Sequence, residues 1–318
     1  MTKRGGSPRR SYPDASGLNV HNAAHRPHRE QDAFQLLGIP EKIPVAWQPA
    51  LPQTCSPVAN TFFDPGDQRA AKVHDLFSRI APRYDLINDL QSFGLHRYWK
   101  RRVIQLARPH PGQRALDLCC GTGDLALALA RCRAQVTGLD FSEQMLDAAQ
   151  RRESRVQGQM SGGVYRASRI THHASPPPRF VRGDAQRIPF SDNSFDIVTV
   201  GYGLRNLANW ETGLREMRRV ANPGGRLVVL DFGKPDNALW RGLYFGYLKL
   251  FVPWLGRIFC GNAGAYAYIL ESLRHYPAQH AIAAKMRELG LANVRVVSLL
   301  GGAMSINYGE KQRDGVVD

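Results

Sequence analysis

Leu116-Asp117-Leu118-Cys119-Cys120-Gly121-Thr122-Gly123-Asp124 is an apolar strand that runs into two spaced glycines and then opens a helix. Glycine has a physical task at such a junction. Without a β-carbon the backbone can turn tightly and let a ligand lie against it, with the amides of the helix N-terminus facing that ligand. About twenty residues on, Asp140 ends the next apolar strand, where a carboxylate can accept both hydroxyls of a ribose. The segments around this junction alternate. Strand-like RALDLC (114–119), QVTGLD (135–140), FVRG (180–183), FDIVTVG (195–201) and GRLVVLDF (225–232) are separated by helical patterns at Gly123 to Arg131, Glu143 to Arg152 and Trp210 to Val220. Strands interleaved with helices predict an α/β fold, a mostly parallel Rossmann-like sheet with helices on both faces.

Gly121, Gly123 and Ala126 also satisfy the looser dinucleotide fingerprint G-x-G-x-x-A, so a nicotinamide dehydrogenase competes with an S-adenosylmethionine enzyme. Three features favour the second. Asp117 lies on the strand four residues before the first glycine, where it can help hold the amino group of a methionine moiety, a group that NAD lacks. Gly183-Asp184-Ala185 follows the third strand, putting an acid and a backbone amide where an adenine edge would lie. Asn222-Pro223-Gly224-Gly225 makes the turn before the late strand of such methyltransferases. The expected fold is therefore that of a class I adenosylmethionine-dependent methyltransferase. Taken singly, each of these acids could be an ordinary solvated carboxylate at a strand end.

The chain has 318 residues, of which 43% are hydrophobic, so it can bury a full core. Its net charge of +15 in general favours anionic partners, with a simple solvated basic surface as the competing reading. No run of lysines and arginines marks a nucleic-acid groove, and none is expected. Five cysteines, at 55, 119, 120, 132 and 260, lack the spacing of a zinc site or a disulfide framework, so no metal is expected and a reducing cytoplasm is. The polar opening from Met1 to Arg10 does not resemble a secretory signal. Residues 1–66 mix prolines, glycines, serines, histidines and arginines, and are expected to form an unfolded leader. A transit peptide or an over-extended start would account for them as well. From Gln68 the periodicity turns helical, with Val73, Leu76, Phe77 and Ile80 on one face, so one domain is expected over residues 67–312, with a tail over 313–318. Within it, residues 154–178 carry Gly162-Gly163 and Pro176 to Pro178 and predict a flexible insertion. The most apolar stretch, Leu239 to Cys260, is interrupted by Arg241, Lys249 and Arg257, which predicts a buried or interfacial helix rather than a membrane span.

Outside the cofactor motifs, the chain resembles the UbiE/MenG C-methyltransferases of ubiquinone and menaquinone biosynthesis. The resemblance is carried by Phe77-Ser78-Arg79-Ile80-Ala81-Pro82-Arg83-Tyr84-Asp85, Asn88-Asp89, Ser92 to Lys100 and Gly203-Leu204-Arg205-Asn206. It runs from about Val73 to Lys311. It implies C-methylation of a polyprenyl quinol ring, with demethylmenaquinol or a 2-methoxy-6-polyprenyl-1,4-benzoquinol as acceptor. It also implies that adenosylmethionine is contacted by Thr122, Asp140, Asp184 with Ala185, and the position of Gly201. Asp117, Gly121, Gly123 and Met145 complete the expected cofactor set. Three departures stand out. The family often has serine at position 201, Cys119-Cys120 replaces smaller residues, and the ending Gly301 to Gly309 lacks the usual His-Arg pair.

A quinol carbon becomes nucleophilic when a neighbouring hydroxyl loses its proton, and the anion then needs a positive or hydrogen-bonding partner. Arg205, past the carboxyl end of a central strand, is the expected partner, or an arginine paired with a surface acid. Asn206 could orient the ring or cap a turn. Tyr84, in an N-terminal helical lid, could bond the quinol oxygen or pack in the core. His96 and Asp89 are candidate proton acceptors, and water is an equal alternative. The aromatic and cationic stretch Leu239 to Cys260 suits a polyprenyl pocket, peripheral contact with the inner face of a membrane, or core packing. The resemblance implies a homodimer at most. An enzyme methylating another small phenol or lipid, and a basic binding protein on the same scaffold, are the competing readings.

Overall fold

The computed structural model describes residues 84–162, 176–260, 272–273 and 276–313. The leader expected over residues 1–66, the helix expected from Gln68 and residues 163–175 of the expected insertion lie outside these. Two helices come first, α1 (Tyr84–Ser92) and α2 (Leu95–Ala107). Then follow β1 (Arg114–Leu118), α3 (Asp124–Arg131), β2 (Gln135–Asp140), α4 (Glu143–Gly162), β3 (Arg179–Arg182), β4 (Phe195–Gly201) and α5 (Trp210–Val220). The chain ends with β5 (Ala221–Phe232), α6 (Ala238–Cys260), α7 (Ala278–Glu288), β6 (Leu291–Leu299) and β7 (Met304–Lys311).

The seven strands lie in the order β3-β2-β1-β4-β5-β7-β6, all parallel except β7, which runs antiparallel to both of its neighbours. The chain moves outward from β1 to β3 and then returns to place β4 on the other side of β1. This reversal opens a crevice beyond the carboxyl ends of β1 and β4, where doubly wound sheets take their ligands.

Alternation along the central strands assigns the two cores. On β5, Leu227 and Val229 face one layer with Leu214 and Met217 of α5 and Ile282 and Met286 of α7. Val228 and Leu230 face the other, with Trp99 and Val103 of α2 and Leu125 and Leu129 of α3. Both faces of the sheet are therefore covered, as the strand and helix alternation predicts. Asn209 starts α5 by accepting a bond from the Thr212 amide at 2.9 Å, which satisfies a donor that a helix N-terminus otherwise leaves open.

Two expectations need correcting. Regular structure does not stop at Ser154, because α4 continues to Gly162. Glu153 to Gln157 has no breaker, and the glycine pair at 162 and 163 is the first real stop signal. Asn222 to Gly225 is not a turn ahead of the strand. It forms a bulge within β5, between the Phe195–Ala221 pair and the ladder that resumes at Ile197 with Arg226. Gly224 has φ 79°, and Asn222 anchors the bulge by donating to Asp196 at 2.7 Å.

Candidate active site

The loop after β1 is shaped by backbone that glycine favours. Gly121 has φ 54° and Gly123 φ 80°, and Cys119 shares the left-handed region at φ 50°. The two glycines do different work. A β-carbon at Gly121 would meet open space, whereas one at Gly123 would meet Ala149 and Phe180 at 3.1 Å. Gly123 thus lets α3 start close against α4 and β3, and it is not among the cleft-lining residues. A similar approach joins β4 to β1. A β-carbon at Gly203 would lie 2.4 Å from that of Cys119.

At this junction lies a cleft of about 860 Å³, open to solvent. Gly121, Asp140, Met145, Asp184, Ala185, Gly201 and Asn206 line it together. An adjoining small recess, open to solvent, shares Gly121 and Gly201 with it and is lined by Asp117 and Thr122. Asp140 is held by two backbone donors, Gly121 N–H to Oδ2 at 2.8 Å and Ser142 N–H to Oδ1 at 2.9 Å. An ionised carboxylate has about four lone-pair sites and can accept hydroxyl donors as well as backbone ones. Leu139, Phe141, Met145 and Leu207 supply apolar walls for a heterocycle, and Asp184, which accepts from the Gln186 amide at 2.8 Å, fixes the turn that carries Ala185.

Asp117 is almost wholly buried, and both its oxygens already have partners within the chain. Oδ1 accepts from the Thr199 hydroxyl at 2.7 Å and Oδ2 from the Ala126 amide at 3.1 Å. Burial pushes its carboxyl up to about 7, against the pull of those bonds and of Lys100. Lys100, on α2, was not singled out by the sequence reading. It lines the same recess and pairs with Asp124, at the start of α3, and its ammonium lies 6.0 Å from the Tyr202 ring centre.

Arg205 and Asn206 form a short 3-10 turn after β4, and they part company there. Asn206 lines the cleft. Arg205 is buried beneath it and does not line the cleft. Its Nε lies 3.2 Å from Asp231 Oδ1, and its backbone amide donates to Asp231 Oδ2 at 3.1 Å. Nη1 donates to Asn206 Oδ1 at 2.9 Å and to Ser272 Oγ at 3.3 Å, and the guanidinium stacks over Phe232. The Asn206 amide is held at its other end by donating to the Tyr202 carbonyl at 3.1 Å. Burial raises Asp231 above the usual carboxylate range even with Arg205 beside it. Arg205, expected as the partner of the ring anion, is instead buried off the cleft and paired with a buried acid, which is not the surface acid of the competing reading either.

His96 is buried on α2 with Nδ1 3.0 Å from Ser92 Oγ and 3.6 Å from Asp89 Oδ1, and it is not among the residues lining the cleft. Burial, reinforced by Lys100, lowers its proton affinity. Asp89 is held by Arg97 at 2.6 and 3.0 Å. Tyr84 opens α1, and its side chain lies outside the described set. At position 201 a β-carbon would come within 3.0 Å of Leu125 Cδ1, so a serine there would need Leu125 to shift. The cleft residues missed from sequence were Phe141, Ser142, Gln186, Tyr202, Leu207 and Ala208. Only Tyr202 carried a signal, an aromatic between two glycines at a strand end.

The family model described as the ubiE/COQ5 methyltransferase family matches residues 66–311. The chain belongs to this family. A demethylmenaquinone methyltransferase of Desulfitobacterium hafniense is 41% identical over 251 residues, 78% of this chain and 93% of the relative. A ubiquinone/menaquinone biosynthesis C-methyltransferase UbiE of Azotobacter vinelandii is 38% identical over 250 residues, 78% and 92% of the two chains. Among solved structures, a putative S-adenosyl-L-methionine-dependent methyltransferase of Methanococcus maripaludis shares the fold. Its TM-score is 0.50 at 17% identity, over 76% of this chain and 96% of that one. This ubiE/COQ5 family member is thus a methyltransferase of the class I fold. Gly203 and Asn206, from the segment that carries the resemblance, line the cleft together with the residues expected to hold the cofactor.

Proposed function

We propose that this enzyme methylates a ring carbon of a polyprenyl quinol, with demethylmenaquinol as the first acceptor and the methoxy-benzoquinol precursor of ubiquinone as the second. The observation that carries this reading is that Asn206, from the family-specific segment, lines the same cleft as Asp140. When bound, adenosylmethionine supplies a methyl group on a sulfonium that leaves as a neutral thioether. Asp140 takes the ribose hydroxyls, and Ala185 with Asp184 takes the adenine edge. The methionine end carries an ammonium and a carboxylate, and the small recess offers the complementary pair, Asp117 and Lys100.

The chain's remaining work is to hold the ring carbon in line with the methyl group, exclude water and stabilise charge on the ring oxygen. We assign the contact with that oxygen to Asn206 and to Tyr84. Arg205 acts as a positioning residue, fixing the Asn206 amide and bringing its own charge beneath it. The phenolic proton passes to water, the ring carbon takes the methyl as the sulfur leaves as a neutral thioether, and the ring proton is then lost while the oxygen regains one, so that one proton is released for each methyl transferred. No metal takes part. His96 and Asp89 support α1 and α2 in this scheme. The enzyme works peripherally at the inner face of a membrane, because its acceptor carries a polyprenyl tail.

The test is transfer of labelled methyl from adenosylmethionine to demethylmenaquinol and to the benzoquinol precursor in detergent, with the unaltered chain, Asp140→Ala and Asn206→Ala. Methylation of either quinol, lost in Asp140→Ala and reduced by about 10- to 100-fold in Asn206→Ala, is expected from the loss of bonds to charged groups. Binding of adenosylmethionine without methylation of either quinol would sink the reading.

A further inference from the structure

The outer face of α6 is apolar and open. Leu239, Leu243 and Leu250 are 77%, 60% and 73% exposed, while Tyr244 and Leu248 on the inner face are buried. Their positions follow the helical repeat, and Gly242 and Gly246 between them have open space beside them. Phe93, at the α1–α2 turn, is 73% exposed and extends this surface, with its ring centre 6.4 Å from that of Phe251 and 6.5 Å from that of Tyr247. Tyr247 ties the two parts together by donating to the Gln91 carbonyl at 2.8 Å. Leu95 and Tyr98 continue the exposure on α2.

Charge decides between occupants of this face. The sequence of α6 contains no aspartate or glutamate. Lys249 on its outer side and Arg101 on α2 are exposed, and the chain carries +15 overall. A second copy would set these cations against their like, whereas an anionic surface would neutralise them. Apolar side chains rimmed by cations and by aromatics such as Trp240 and Tyr98 are the pattern of a helix lying in a lipid interface. Among the described residues no helix is long and apolar enough to cross a membrane.

The face also lies close to the cleft. Tyr244 donates to the Ala303 carbonyl at 3.1 Å, and the Gly233 amide donates to the same oxygen at 2.9 Å, so α6 is pinned to the end of β5. The neighbouring Phe232 packs on Tyr202 at 5.9 Å, and Tyr202 lines the cleft.

We propose that Leu239, Leu243 and Leu250 of α6, with Phe93, dock the enzyme on an anionic lipid bilayer and so present the cleft to an acceptor dissolved in it. The purpose of this docking rests on the quinol reading above, but the docking itself is measured without any quinol. The full chain is sedimented with phosphatidylcholine vesicles, with and without phosphatidylglycerol, beside Leu243→Asp/Leu250→Asp and Phe93→Ala. The unaltered chain is expected to partition onto the anionic vesicles, less so at high salt, and the double variant about 10-fold more weakly or worse. Both variants should keep adenosylmethionine affinity and turnover of a short-chain, water-soluble quinol, which shows that they fold. Three results would overturn the proposal: no sedimentation of the unaltered chain, equal sedimentation of the double variant, or a dimer in the ultracentrifuge that the double variant dissociates. Vesicle binding without turnover of the soluble quinol would support docking while removing the substrate reading.

Discussion

Asp117 joins stability to binding in one side chain. Its carboxyl, raised by burial from 3.8 to about 7, keeps its proton in the fold at a pH where the unfolded chain has released it. Stability from this group is therefore greatest below about pH 4, declines as pH rises toward 7 and is level above that. Asp117→Asn should flatten the slope of denaturant stability between pH 5 and 7 and weaken adenosylmethionine by about tenfold or more, since the ligand ammonium loses its counter-charge. An unchanged slope would show that Asp117 is not the group responsible. Lys100 supplies the matching test at the other end of the zwitterion. Calorimetry of Lys100→Met should show about a tenfold loss for adenosylmethionine and little for its decarboxylated analogue. Equal losses for both would remove Lys100 from the carboxylate. Arg205→Ala would leave Asp231 buried without its charge partner, at a cost of about 3–5 kcal/mol. Asp231→Asn in the same chain should recover part of that in the urea midpoint.

The loop between β1 and α3 shows how two similar glycines separate into two roles. Gly121→Ala strains a left-handed backbone but meets no neighbouring atom, and because Gly121 lines the cleft it is expected to reduce adenosylmethionine affinity more than it lowers the urea midpoint. Gly123→Ala drives its methyl group into Ala149 and Phe180 from a left-handed backbone, and should cost about 1–3 kcal/mol of stability. Comparing urea midpoints with ligand affinities for the pair checks this division, and a reversed order would overturn it. Strands β1 to β5 were legible because each is a short apolar run that meets a glycine or an aspartate at its end or within three residues of it. Strands β6 and β7 were not. On β6, half-exposed and exposed residues alternate weakly, and the antiparallel insertion of β7 between β5 and β6 leaves no local mark in the chain.

For the whole molecule, the crevice depends on segments that meet only in the fold, so ligand binding should stabilise the domain as a unit. Adenosylmethionine at about 100 times its dissociation constant should add about 2.7 kcal/mol and raise the melting temperature. Asp140→Ala should remove that rise at the same ligand concentration. The overall charge of +15 was plain from composition, but its use was not. Composition cannot say whether cations surround an apolar face, and an apolar helix such as α6 reads alike whether its outer side meets protein, lipid or water.

The sequence by itself determined the alternating strands and helices, the glycine loop, Asp140 at the end of β2 and the coincidence of these with family-specific segments. Each of these is written in neighbouring residues, through the side-chain period of a strand or helix or the freedom of glycine. Only the tertiary structure decided that Asn206 reaches the cleft while Arg205 turns beneath it toward Asp231 and Ser272. It alone brought Thr199 to Asp117, and Lys100 from α2 into the same recess. Burial and pairing are properties of contacts between segments far apart in the chain, and a pattern read along the chain carries no record of which side chain its fold will set opposite another.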